Sequence, residues 1–596
     1  MSPDVRRSID GRALRIAGLA ILLGLATGGV ASLLTQLIAF VTNLAFYGRL
    51  STSEVSPADN QLGLWIIPVA VLGGLVVGLM ARFGATAIRG HGIPEAMERV
   101  LEHESRIPLR MTVLKPLSSA IAIGTGGPFG AEGPIIATGG AVGSMLGQFL
   151  RTSARERKTL LAAGAAAGMA ATFGSPVSAV LLAVELLLFE LAPRTLVPVV
   201  LGAATGALTG MLLRGSGAAF PMAPIEVPGA AAFIFYIALG ALIGLVAVGV
   251  TALVYWVEDL FGRLPIHWMW WPPLGGVAIG VIGLVAPKVL GVGYDNIRGV
   301  VVGAFAAGPL ALLVAMKLLI WVIALGSATS GGTLAPLFTI GGGCGALIGM
   351  GVASAFPEAG IDPSVAGLVG MAAMFAGASR AVLTSVVFAF ETTRQPMGIV
   401  PLLVGCGAAY LVACALSKHS IMTRKIAERG VAVPTEYAFD PLARLRVGAL
   451  ATRPVACLDA AMPVSAALTM LSSPASDGGG ARPHGYPVIR CKKLVGVVTR
   501  TDLVELARID AEAPLSAAIR RPPLTAFEDE SLRAAVDVMV REEIGRLPVV
   551  TRAAPDRVVA ILTRGDALRG FRERSEENLV RPALPVTVRF GPLRRR

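Results

Sequence analysis

One carboxylate stands alone in a long apolar stretch. Between Lys115 and Arg151 the only formal charge is Glu132, inside GTGGPFGAEGPIIATGGAVGSMLG at 124–147. An ionisable side chain in such surroundings is costly to bury and marks a candidate functional site. Glycine and proline break the backbone around it. Three Gly/Pro-rich loops share this character: GHGIPEA at 90–96, GAEGP at 130–134 and GGTLAP at 331–336. Each stands where an apolar helix would begin. A helix N-terminus presents unpaired N–H groups and the positive end of its dipole. Three such ends converging on one point would hold an anion without any full positive charge. Glycine allows close backbone approach, and proline in the first turn removes no needed donor. The chemistry expected is weak, fast anion binding, because a buried Lys or Arg would hold the ion too tightly to release it.

The elements that must position these loops are membrane helices. The chain has 596 residues, 54% of them hydrophobic and only 15% charged, with a mean hydropathy of +0.70. Soluble domains carry about 25% charged residues. Residues 1–435 read as an integral membrane domain, and residues 436–596 return to ordinary charge density. Arg6, Arg7, Arg12 and Arg15 precede an apolar run at 16–46, too long for a signal peptide. This predicts a retained first helix with a cytoplasmic N-terminus. Further apolar segments, such as 112–123, 175–192, 364–376 and 381–391, fall short of a full bilayer span or are broken by glycine. Broken helices whose ends meet inside the protein belong to channels and transporters. The net charge of +13 reads as basic membrane loops; no aromatic-interleaved basic stripe points to nucleic acid. The five cysteines lack ligand spacing, so neither a disulfide framework nor a metal site is expected.

An internal repeat supports this architecture. EGPIIATGGAVGSMLG after Ala131 resembles LAPLFTIGGGCGALIG after Thr333. Pro134, Gly139, Gly140, Gly143 and Gly147 recur at one offset as Pro336, Gly341, Gly342, Gly345 and Gly349. VSAVLLAVE ending at Glu185 pairs likewise with LTSVVFAFE ending at Glu391. Two related halves predict a pseudo-twofold arrangement with the binding site between them.

The tail repeats as well. GYPVIRCKKLVGVVTRTDLVELA at 485–507 resembles RLPVVTRAAPDRVVAILTRGDALRG at 546–570. Each reads as strand, turn, strand, then Thr-Arg-x-Asp opening a helix, after helix-like stretches near 464–472 and 531–541. SSPASDGGGARP at 472–483 reads as a flexible insertion. Thr499 with Asp502, and Thr563 with Asp566, can cap their helices, leaving backbone N–H groups for an anion.

The three loops together resemble the GSGIP, G(K/R)EGP and GxFxP signatures of the CLC chloride channel and transporter family, in order and over nearly the whole chain. The tail resembles a tandem CBS pair at about 446–507 and 514–572. The resemblance implies an all-α polytopic membrane domain of two inverted repeats, followed by an α/β cytoplasmic CBS pair. It implies a homodimer in the lipid bilayer, as a multi-pass protein of a bacterial-type inner membrane, with a separate pore for chloride or a similar small anion in each subunit. Carried over by motif, Glu132 is the gate, with no catalytic residue and no required cofactor. The anion site comprises Gly90, His91, Gly92, Ile93, Gly130 and Gly133, the amides of Thr333 and Leu334, and the position of Met422. Thr499, Asp502, Thr563 and Asp566 match positions that contact an adenine nucleotide where a CBS pair binds one.

Several positions depart from the family pattern. His91 replaces the serine of GSGIP, Ala131 the basic residue of G(K/R)EGP, and Leu334 the phenylalanine of GxFxP. In SIMTRKIAERG at 420–430, Met422 stands where a tyrosine hydroxyl usually meets the anion, and a thioether donates no hydrogen bond. Leu186 occupies the position of the internal glutamate that proton-coupled members carry, which favours a passive channel. A proton/chloride antiporter is the alternative, if another carboxylate such as Glu190 relays the proton. An intramembrane metalloprotease would need HExxH, which is absent. A magnesium transporter would need intramembrane acidic ligands.

Overall fold

The computed structural model describes residues 11–431, 433–434, 442, 445–451, 455–472, 485–491 and 493–576. Arg6, Arg7, the 435/436 boundary and residues 473–483 of the insertion lie outside them. The described residues fall into two compact units, one before residue 439 and one after it.

The first unit is helical. Its first half comprises α1 (Gly11–Tyr47), α2 (Ile66–Phe83), α3 (Ile93–Glu102), α4 (Met111–Gly124), α5 (Glu132–Phe149), α6 (Ala154–Phe173), α7 (Pro176–Leu182) and α8 (Pro193–Arg214). The second comprises α9 (Ala230–Gly262), α10 (Trp271–Val285), α11 (Tyr294–Val301), α12 (Ala307–Gly326), α13 (Leu334–Ala355), α14 (Pro363–Ser379), α15 (Val382–Thr393), α16 (Ile399–Leu416) and the short α17 (Arg424–Glu428). Among the described residues, eight helical segments are long and apolar enough to cross a membrane. Between them lie the short helices that the sequence suggests, and α7 passes directly into a π turn, Ala183–Leu188. Hydropathy alone misses α3 and α11, because IPEAMERVLE and YDNIRGVV carry charges on one face.

The repeated glycines serve helix packing. A Cβ at Gly139 would lie 2.3 Å from the Gly164 carbonyl, and one at Gly143 2.1 Å from that of Leu160, so α5 sits tightly on α6. In the second half, Gly341 and Gly345 face Gly370 and Ala366 in the same way, seating α13 on α14. These helix pairs bring the buried first turns of α5 and α13 to the middle of the domain, where Glu132 is fully buried and Leu334 nearly so.

The second unit holds two three-stranded sheets. In the first, β1 (Leu458–Asp459) runs parallel to β2 (Gly485–Arg490), which pairs antiparallel with β3 (Lys493–Thr499). In the second, β4 (Ala526–Phe527) lies parallel to β5 (Arg546–Thr551), itself antiparallel to β6 (Ala554–Thr563). α18 (Val447–Leu450) and α21 (Leu532–Arg541) precede the second hairpin and α19 (Val464–Ser472) the first. α20 (Arg500–Ile509) and α22 (Arg564–Glu576) follow β3 and β6. Each repeat has its own apolar core, one around Leu458, Val488 and Leu503, the other around Leu532, Val549 and Leu562.

Candidate functional site

Backbone hydrogen bonds stitch the three Gly-rich loops together. Gly130 and Gly332 exchange them as an antiparallel pair: the Gly332 amide donates to the Gly130 carbonyl at 2.9 Å, and the Gly130 amide donates back at 3.2 Å. Gly130 and Gly332 are equivalent positions of the repeat, so this pair lies where a pseudo-twofold axis would pass. Gly90 bridges to Ser330, and the Gly331 amide donates to the Gly90 carbonyl at 3.4 Å. Gly90 and Gly92 have φ of +89° and +92°, which L side chains rarely adopt. Gly133 presses against the His91 carbonyl, where a Cβ would come within 2.0 Å.

Each loop contributes a buried polar atom without a hydrogen-bond partner among the described residues: His91 Nδ1, Glu132 Oε2 and Thr333 Oγ1. Buried polar groups are nearly always satisfied, which makes these three atoms candidate contacts for a ligand. The Glu132 carboxylate is enclosed completely. Its Oε1 accepts the Tyr294 hydroxyl at 3.1 Å, and the Ala335 amide in the first turn of α13 also faces it. Its Oε2 lies against Gly130 and Gly332, where a Cβ would stand 1.7 Å and 2.8 Å away.

Not every expected donor is available. The Gly92 amide donates to Glu95 Oε2 at 2.7 Å, closing the start of α3, so it is not free for an anion. A neighbouring acid has taken the place expected for the ligand. Met422 is fully buried, and its amide donates to Ser420 Oγ. Its segment is tied to α3 by Arg429–Glu98 and to α9 by Lys425–Glu258 at 2.7 Å, while the Tyr255 hydroxyl is spent on the Ile421 carbonyl.

The expectation of a site without full positive charge needs correction. Lys115 and Lys317 are fully buried in α4 and α12. Each lies 19 residues before its repeat proline, Pro134 or Pro336. Lys115 Nζ donates to the carbonyls of Ile88 and Gly90, both at 2.8 Å; Lys317 Nζ donates to those of Val289 and Gly291 at 2.9 Å and 3.3 Å. Their protons brace loops, while their charges act on Glu95 and Glu132 respectively. An ammonium engaged in this way adds positive potential without gripping the ion directly. A lone lysine inside an otherwise apolar helix, repeated at one offset, was the available sequence signal.

Leu186 is buried in the π turn and offers no proton. Glu185 beside it caps α15, accepting the amides of Leu383 and Thr384 at 3.1 Å and 3.0 Å. Glu190 is buried, with Oε1 unpartnered among the described residues and Oε2 3.8 Å from Arg155.

In the second unit, Thr499 with Asp502 and Thr563 with Asp566 form closed capping boxes. Thr499 and Asp502 also line a cavity of about 350 Å³ with Arg520, Arg521, Glu543 and Arg546; Thr563 and Asp566 do not. Burial and the neighbouring Arg564 push the Arg546 guanidinium below its ordinary range. Crowded arginines favour an anionic occupant.

The chain matches the family described as voltage gated chloride channel over residues 72–414, and CBS domains over 447–508 and 515–573. A Yersinia pseudotuberculosis protein named H(+)/Cl(-) exchange transporter ClcA is 30% identical, over 64% of this chain and 83% of its own. A Ralstonia nicotianae protein, provisionally named chloride channel protein ClcB-like, is 27% identical over 70% of this chain and 96% of its own. Among solved structures, a slow cyanobacterial Cl-/H+ antiporter aligns with a TM-score of 0.63 at 25% identity, over 71% of this chain and 98% of that one. A eukaryotic CLC transporter aligns with a TM-score of 0.62 at 20% identity, over 93% and 98%.

Proposed function

The chain belongs to the voltage gated chloride channel family, a multi-span membrane protein that transports anions, and from that premise we propose that it exchanges chloride for protons with Glu132 as the shared gate. One observation carries this reading: a titratable carboxylate, fully buried, faces the first turn of α13 where the anion-binding loops meet. In its charged form the carboxylate competes with the anion for the same N–H groups; protonated, it no longer does. The bacterial ClcA relative is named an exchanger, and the cyanobacterial neighbour an antiporter.

The second reading is the passive channel that the sequence favours. Leu186 supports it, because a buried leucine cannot pass a proton. Under the exchange reading, Glu190 takes over the relay: it is a buried carboxylate with one oxygen unpartnered among the described residues. Chloride flux from proteoliposomes, with proton movement recorded simultaneously, separates the two. Uphill proton movement driven by a chloride gradient supports exchange, and chloride flux with no proton movement supports the channel.

His91, Glu132 and Thr333 together with the Leu334 amide form the proposed anion site. The arginine-lined cleft beside Thr499 and Asp502 is proposed to take an adenine nucleotide, and the membrane domain is proposed to pair as a homodimer.

A further inference from the structure

The gate carboxylate has one side-chain hydrogen-bond donor among the described residues, and it comes from a helix that hydropathy does not reveal. Tyr294 opens α11, and its hydroxyl meets Glu132 Oε1 at 3.1 Å. The approach to this tyrosine is held at several points. Lys317 binds the carbonyls of Val289 and Gly291, and the Gly291 amide donates to the Gly126 carbonyl at 3.2 Å, on the stretch that leads to Glu132. Asn296 Nδ2 donates to the Lys288 carbonyl at 2.7 Å. Gly293, at φ +75°, makes the turn into the helix.

The ring is held as well. Phe173, at the end of α6, meets it edge-on with centroids 5.7 Å apart, and Phe220 does so at 6.1 Å. Phe173 in turn packs on Phe388 of α15 at 5.1 Å. Two edge-on aromatic contacts hold the ring in place, and its hydroxyl meets the gate carboxylate. The other groups facing the carboxylate are the Lys317 charge and the Ala335 amide.

We infer that Tyr294 is a latch: its hydroxyl holds Glu132 in the position that excludes the anion, on a bracket braced by Lys317 and the two phenylalanines. The inference rests on Glu132 being the gate. Removing the hydroxyl weakens the competitor for the anion site, so chloride binds at lower concentration while transport beyond the gate is little changed. Tyr294 acts through Glu132 and is a positioning residue.

The test uses the full chain in proteoliposomes, with flux measured against chloride concentration for Tyr294→Phe, Glu132→Ala and the double variant. Tyr294→Phe keeps the ring and its aromatic contacts. The expected result is a half-saturating chloride concentration about tenfold lower for Tyr294→Phe, the scale of a lost hydrogen bond to a charged group. Its maximal rate should move less, and the double variant should match Glu132→Ala. A half-saturation equal to that of the parent, or the same shift in the Glu132→Ala background, would overturn the latch. A Glu132→Ala single variant with unaltered chloride dependence would instead overturn the gate reading, and the latch with it.

Discussion

Glu185 and Glu391 cap each other's helices. Glu185, in the turn that ends α7, accepts the amides of Leu383 and Thr384 at the start of α15. Glu391, near the end of α15, accepts those of Val177 and Ser178 at the start of α7, at 3.0 Å and 2.8 Å. Such an exchange between equivalent residues is what twofold-related halves produce. It also explains why the repeated segments both end in glutamate: each acid supplies the negative charge that the opposite helix start requires. Glu185→Ala should destabilise the protein by about 1–3 kcal/mol, because the buried amide and hydroxyl of Thr384 lose their acceptor. Glu391→Ala should cost less, since Val177 is exposed. Thermal unfolding in detergent, followed by near-UV circular dichroism, orders the two.

Glu132→Gln imitates the protonated form of the proposed gate. Chloride flux through the parent protein should rise as pH falls, because protonation removes the charge that competes for the site. The variant should carry a high flux that is flat from pH 5 to pH 8 within about twofold. Proteoliposome efflux at matched internal and external pH checks this, and a pH profile like the parent's would refute it.

Lys317 acts on the same carboxylate from behind. A carboxylate without a nearby cation takes up its proton more readily, so Lys317→Met should move the flux profile toward higher pH. The shift should vanish in the Glu132→Gln background. Lys115→Met removes the ammonium donor that braces the Ile88 and Gly90 carbonyls and should mainly raise the chloride concentration for half-maximal flux, by about tenfold. Flux titrations over chloride and pH distinguish the two lysines.

Proton coupling should depend on Glu190. Glu190→Gln is expected to cut chloride-driven proton uptake about tenfold while chloride flux persists, as losing one proton-transfer group commonly does. Glu185→Gln should leave the proton-to-chloride ratio unchanged, because that carboxylate is engaged on α15. Simultaneous pH-electrode and chloride-electrode recordings give the ratio directly.

The cleft of the second unit should bind ATP, with Arg546→Ala weakening it about tenfold through loss of one charge-assisted contact. Thr563→Ala should affect stability alone, since Thr563 does not line the cavity. Isothermal titration of the intact protein in detergent measures both.

The membrane helices, the three Gly/Pro-rich loops at helix starts and the paired strand-turn-strand-helix units were legible because hydropathy, glycine placement and the Thr-x-x-Asp start are local patterns. The family resemblance rested on the same short motifs. Tertiary structure decided what those patterns face. It spent the Gly92 amide on Glu95, turned Glu185 into a cap for a helix in the other half, and placed two lysines behind loops expected to act without a full positive charge. It also brought Tyr294 of α11 to Glu132, 162 residues away in sequence. Hydrogen-bond partners across such separations depend on how helices pack, and packing depends on shape summed over the whole fold. A sequence therefore specifies which groups need partners, and the folded chain determines which partners they receive.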